Sequence, residues 1–207
     1  MKKWMMLLAL AVIGVATWFI FVTRKKPDNE LTPRQQPLAV SRHSATFNES
    51  VNNALEAYYG LSEALVNWDS AAADSRAGDL DRRLEAIQLE ELRKDTAGIF
   101  ESAEGSLSNV RNDAQAFGKQ AGLTEKRRRF HQLSNNLYDF LRVIRYDAAG
   151  VYLQQCPMAF NDDETAQWIS ASAADEARRN PYLGVKDPKY GRGMLACGET
   201  IDSLRFQ

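Results

Sequence analysis

Residues 151–160 read VYLQQCPMAF, and the interpretation of this stretch decides whether the chain is one helical body or changes character at its C-terminal end. It holds one of the two cysteines; the other stands in GMLACGET, residues 193–200, and each has a methionine two or three residues away. In an extended backbone residues two apart point the same way, so Cys156 and Met158 face one target while Pro157 fixes the backbone between them. Met194 and Cys197 are three apart, a spacing that puts both sulfurs on one side of a turn or helix. Beyond Gly150 the apolar residues keep no sustained helical period, and three of the six prolines lie there. The segment is therefore expected to be irregular, with a short helix near DDETAQWISASAADEARR (162–179) and turns at NPYLG and DPKYG. A segment of that length has to pack on the rest of the domain or be tied by a cross-link.

Upstream of this stretch the pattern is helical for nearly a hundred residues. Phe47, Val51, Leu55, Tyr58, Ser62, Leu65 and Trp68 recur at spacings of three and four, which predicts a first amphipathic helix. Ala73, Ala77, Leu80, Leu84 and Ile87 give a second, weakened by Gly78. Leu92, Thr96, Ile99, Ala103, Leu107, Val110, Ala114 and Phe117 give a third, with Gly98 or Gly105 as a point of bending. After FGKQAGLT, Thr124 can cap a fourth helix whose face is Phe130, Leu133, Leu137, Leu141 and Ile144. Four amphipathic helices in succession bury their stripes against one another. The expected fold is all-α: an antiparallel four-helix bundle over residues 46–207, with the irregular C-terminal segment packed on it, preceded by one N-terminal transmembrane helix.

That first helix rests on the apolar run Trp4 to Val22, set between Lys2, Lys3 and Arg24, Lys25, Lys26. Its length suits a bilayer crossing. It ends in bulky WFIFV rather than a small-x-small cleavage site, so a retained anchor over residues 1–26 is read ahead of a cleaved signal peptide. Residues 27–45, PDNELTPRQQPLAVSRHSA, read as a Pro-rich linker. The short N-terminal tail favours translocating the domain, which places it in the periplasm or another extracytoplasmic space, tethered to the cytoplasmic (inner) membrane. Outside the first 26 residues the chain has 21 basic against 27 acidic residues, and so acidic a domain is a poor binder of nucleic acid. The basic run EKRRRF, residues 125–130, reads as a solvated helix face.

Two thiols and two thioethers, Cys156, Met158, Met194 and Cys197, match Cu(I) or Ag(I), because zinc prefers thiolate, imidazole or carboxylate. A Cys156–Cys197 disulfide is the competing reading for an exported domain; it would close a loop of some forty residues and stabilise the fold by about 3–4 kcal/mol. Buried free thiols are the third. His131, one step round from the apolar stripe, is read as solvent-facing or hydrogen-bonded, and His43 falls in the linker. No phosphate loop, nucleophile elbow or His-rich zinc motif is present, so the chain is read as non-enzymatic. The acidic DDE at residues 162–164 lacks the spacing and glycine of a calcium loop and is read as a solvated helix start.

RRRFHQLSNNL (127–137), VYLQQCPMAF, QWIS (167–170), RNPYLG (179–184) and GMLACGETIDSL (193–204) occur in an order that resembles the bacterial domain of unknown function 3347. The stretch VKDPKYGRG before Met194 is longer than the family pattern, which weakens Met194 more than the cysteines as a carried-over ligand. The resemblance implies an extracytoplasmic helical domain, also found fused to adaptor subunits of heavy-metal efflux pumps, with Cys156, Met158, Met194 and Cys197 as its metal site. The expected function is membrane-anchored binding of Cu(I) or a similar soft ion in heavy-metal homeostasis or efflux, with an efflux adaptor or pump as partner. The alternative is an envelope scaffold closed by the Cys156–Cys197 disulfide. A thiol oxidoreductase is disfavoured by the absence of Cys-x-x-Cys.

Overall fold

The structure, a computed structural model, describes residues 43–206 except residue 96. The helices are α1 (Ala45–Val66), α2 (Ser70–Glu85), α3 (Ile99–Phe117) and α4 (Leu123–Val143). Consecutive helices pack on each other, and α1 closes against α4 where Tyr58 stacks on Phe130 at 5.1 Å between ring centroids. The apolar stripes point inward: Phe47, Val51, Leu55, Tyr58 and Leu65 on α1, and Phe130, Leu133, Leu137 and Leu141 on α4, are all buried.

Helix ends depart from expectation where backbone chemistry overrides periodicity. Ser44 caps α1 through its hydroxyl, which accepts from the Phe47 N–H at 3.1 Å. Trp68 lies beyond the end of α1 at φ 62, so it leaves the stripe and turns its indole N–H to the Leu183 carbonyl at 2.7 Å. The third periodic run divides: Leu89–Lys94 is a 3-10 turn, and α3 starts only after Gly98. At α4 the N-cap is Gly122, not Thr124, which is already inside the helix.

The all-α expectation is overturned by the C-terminal segment, which forms a three-stranded antiparallel sheet in the order β2-β1-β3. VYLQQCPMAF is the central strand β1 (Val151–Phe160), β2 is Glu164–Ser170 and β3 is Glu199–Leu204. The short helix expected over 162–179 is replaced by β2 and a single 3-10 turn, Asp175–Ala177. The cause lies in the hairpin: Asn161 and Asp162 take φ 54 and φ 70, and the Asp163 N–H returns to the Phe160 carbonyl. Two left-handed residues in succession make the tight turn whose twist suits a hairpin. The DDE is thus a turn and strand start rather than the start of a helix.

In β1, Tyr152, Leu153, Gln154 and Gln155 pair with both neighbours, Val151 pairs with β3 alone, and the register to β3 slips by one residue at Ile201. Past Gln155 only β2 flanks β1, and a bulge runs from Cys156 to Phe160. Pro157, which has no N–H for a ladder, falls in that irregular, singly paired stretch.

The outer edge of β2 is closed by side chains rather than by another strand. The Ile169 N–H donates to the Tyr58 hydroxyl at 2.9 Å and the Gln167 N–H to His131 Nδ1 at 3.0 Å, while the Tyr182 hydroxyl donates to the Gln167 carbonyl. Alternate residues of an edge strand turn their backbone groups outward, and α1, α4 and the loop after β2 supply their partners. Among the described residues no helix is long and apolar enough to cross a membrane. The run Trp4 to Val22 and the linker as far as residue 42 lie outside the described residues.

Candidate metal centre

Cys156 lies in the interior on β1, fully buried, with the small, equally buried Ala166 as its partner on β2. Cys197 comes to it from the loop before β3. A turn closed by the Cys197 N–H on the Met194 carbonyl (3.0 Å) precedes it, and Gly198 follows at φ 131. A Cβ at Gly198 would lie 2.6 Å from the Gln155 carbonyl oxygen and 2.9 Å from the Trp168 ring. Only glycine lets the chain pass this close to β1. The two thiols meet as neighbours, both unbonded.

Burial first, and then the Cys156 thiol beside it, push the Cys197 thiol up to about 12, against the pull of the Arg178 guanidinium. The Cys197 sulfur is therefore held as a thiol at neutral pH. The Met158 and Met194 side chains are half-buried and pack on the same apolar cluster, on segments next to the cysteines. The structure thus brings Cys156 and Cys197 together and leaves the two methionines at the rim.

A polar shell fixes this region. Gln154, buried on β1, donates to the hydroxyls of Ser170 and Thr200 at 2.9 Å and accepts from Arg178 Nε at 3.0 Å. Arg178 is itself buried and pairs with Asp175 at 2.7 Å. Asn180, fully buried, accepts the Tyr182 and Leu183 N–H groups on Oδ1 (2.8 and 3.2 Å) and donates to the Cys197 carbonyl at 3.1 Å. NPYLG is therefore the clasp that positions Cys197. Its Gly184 (φ 65) sits so close to α1 that a Cβ would fall 2.4 Å from the Val66 carbonyl oxygen.

The basic run is not a solvated face. Lys126 is buried against Asp74, and Arg129 pairs with Asp113 at 3.0 Å. Arg128 grips Glu164 with two hydrogen bonds, and its guanidinium lies over the Phe160 ring. Arg127, also buried, has no carboxylate partner among the described residues. It donates to the carbonyls of Pro181 (2.9 Å) and Leu65 (3.1 Å) and stacks on Trp68 at 4.1 Å, and burial brings it down to about 10. The run anchors the NPYLG clasp and the β1–β2 hairpin to the helices. A run of like charges hides this role; the neighbouring Phe130, Leu133 and Leu137 stripe, which puts Lys126 and Arg127 near the inward side, was the available signal.

His131 is hydrogen-bonded, with its proton on Nε2, because Nδ1 accepts from a backbone N–H. Taking it as a metal ligand through Nδ1 would strip the Gln167 N–H of its acceptor. His43 belongs to the domain: Nδ1 meets Glu91 at 2.8 Å, Nε2 meets the Ile144 carbonyl at 2.6 Å, and the ring packs on Phe47. Polarity and a proline-rich neighbourhood concealed it.

Among the described residues no three His, Cys, Asp or Glu side chains group as a metal site. The donors that do meet, two thiols with thioethers nearby, fit a soft monovalent ion of low coordination number and not tetrahedral zinc.

No curated protein and no solved structure matches the chain. A family match covers residues 54–147, from within α1 to just past α4. Of the resembling motifs only RRRFHQLSNNL lies in that span; the cysteines and the whole sheet lie beyond it. The segment 54–147, a little under half of the chain, is similar to a family described as a protein of unknown function (DUF3347).

Proposed function

We propose that the domain is a non-enzymatic, extracytoplasmic binder of Cu(I) or Ag(I) serving heavy-metal homeostasis or efflux, tethered to the cytoplasmic membrane through the Trp4–Val22 run. The observation that carries this reading is the meeting of the Cys156 and Cys197 thiols from segments about forty residues apart. Cys156 and Cys197 would hold the ion as thiolates, with Met158 and Met194 close by as neutral soft donors. Two thiolates and one monovalent cation leave one negative charge, and the buried Arg178 guanidinium is placed to offset it. Because the Cys197 thiol starts protonated, uptake at that sulfur releases a proton and weakens as pH falls. The half-buried Cys197 is the point of access. An efflux adaptor or pump is the partner this role would need.

Anaerobic, fully reduced protein is expected to take up one Cu(I) or Ag(I) per chain, to lose this on Cys156→Ser or Cys197→Ser, and to be weakened by Met158→Leu or Met194→Leu. Reduced protein that takes up no soft ion would overturn the reading. The adjacency of the thiols also favours a second reading, a scaffold closed by a Cys156–Cys197 disulfide. That reading predicts no free thiols in protein isolated from an oxidising compartment, and indifference to copper after reduction.

A further inference from the structure

On the other side of β1 from the hairpin turn, where the strand begins, a half-open cleft of about 270 Å³ separates α1 from the sheet. Leu55, Tyr146 and Val151 form its floor, Tyr59 and Tyr152 flank it, and Glu56 stands exposed at its rim. We propose that this cleft binds a small organic cation of the alkylammonium class, with the Tyr59 and Tyr152 rings as its aromatic walls and Glu56 as its counter-charge.

Four observations carry the assignment. The walls are preset: Tyr146 is fully buried with its hydroxyl donating to Asn52 Oδ1, and Arg205 donates to the Tyr152 hydroxyl at 2.7 Å. The polar groups facing the cleft are unused: among the described residues Glu56 takes part in no ion pair. The Tyr59 hydroxyl has no hydrogen-bond partner among them either, on a residue that is half-buried and whose pKa burial pushes up. Of the side chains lining the cleft, Glu56 is the one that carries a charge, and it is negative. The volume sits just below the usual range for ligand sites, about 300–1,000 Å³, and so suits an ion of few heavy atoms.

Aromatic faces attract cations through their quadrupole, and a carboxylate at the rim adds charge without closing the cleft. Arg205, whose guanidinium lies 5.1 Å from the Tyr152 ring centroid, already uses that ring in this way. A neutral group of the same shape would gain neither term, and an anion would meet Glu56. Selection by charge rather than by shape is therefore the property to test.

The probes are choline and its uncharged isostere 3,3-dimethyl-1-butanol, titrated into the full-length protein in a nonionic detergent and followed by tyrosine chemical shifts. Choline is expected to saturate in the range of about 1–10 mM, the affinity two weak cation–π contacts and one exposed carboxylate can give, while the isostere does not saturate. Glu56→Gln, a substitution at an exposed position, is expected to weaken choline about tenfold, and Tyr59→Leu by at least as much with the circular dichroism unchanged. Equal binding of the two probes, no effect of Glu56→Gln, or no saturation by choline at about 100 mM would each overturn the proposal.

Discussion

From α1 to α4 the interior is mainly apolar, and its side chains recur at spacings of three and four; the segment from Val151 to Leu204 is seated instead by polar groups reaching across the fold. Leu61, Leu65, Leu80 and Leu137 do their work by area, and any of several similar side chains would serve. Asn180, Tyr58, His131 and Arg127 each satisfy particular backbone groups far away in sequence, so only a side chain that offers the same polar atom in the same place can stand in for them. The helices are thus tolerant and locally encoded, and the sheet is docked by a few specific, non-interchangeable bonds. Substitutions that spare one region while releasing the other are the means to break this contrast.

The largest effect is expected at Gly184. Gly184→Ala combines a left-handed backbone with a Cβ placed 2.4 Å from the Val66 carbonyl oxygen, on the last residue of α1, and 2.8 Å from Trp68 Nε1, just beyond it. The clash and the strained φ together should destabilise docking of the C-terminal segment by about 3–5 kcal/mol. Urea unfolding followed by tryptophan fluorescence, with Trp68 and Trp168 both near the clasp, is expected to shift far more than the helical signal at 222 nm. If both signals shift together, the two regions unfold as one unit and the contrast is one of bonding only.

Tyr58→Phe is the sharper test, because it removes one oxygen and leaves the α1 stripe intact. That hydroxyl accepts from the Ile169 N–H and shares a hydrogen bond with Ser134 at 2.7 Å. A buried N–H left without a partner costs about 1–3 kcal/mol. Amide exchange at Ile169 is expected to quicken while amides of α1 and α4 keep their protection. Unchanged exchange at Ile169 would mean that the β2 edge is closed by packing and not by the hydroxyl.

The same division explains what could be read from the chain and what could not. The α1 and α4 stripes follow from periodicity because a helix folds on neighbours three and four residues away. Trp68 and the third run went astray where a left-handed residue and Gly98 ended the period. The sheet was missed for three reasons. β1 is buried on both faces and interrupted by proline, β2 is polar at its start, and the Asn161–Asp162 turn carries no glycine. The cysteines and methionines could be singled out as a set by their scarcity; that Cys197 meets Cys156 depends on Gly198 and Asn180, whose partners are set by long-range contacts. Lys126 and Arg127 look like surface residues until the partners that bury them are known.

The smallest effect is one of pH, and it isolates the sheet side of the contrast because His131 joins α4 to β2. Burial lowers the His131 pKa, with Glu164 pulling weakly the other way. Its Nδ1 also has to stay unprotonated to accept the Gln167 N–H. A depressed folded value means that the unfolded chain binds this proton more readily. The contribution is thus complete above the ordinary imidazole value of about 6.5 and is lost as pH falls below it through the folded value. Carboxylates held low by arginines, such as Glu63 by Arg179 and Glu164 by Arg128, give up their contributions only below about 4.3. Between those limits, stability measured by urea titration should decline gently with acidification, and His131→Gln, whose side-chain oxygen can still accept the Gln167 N–H, should flatten the decline. A slope that persists in His131→Gln would assign the titration to another group and would place the pH-sensitive joint away from the edge of the sheet.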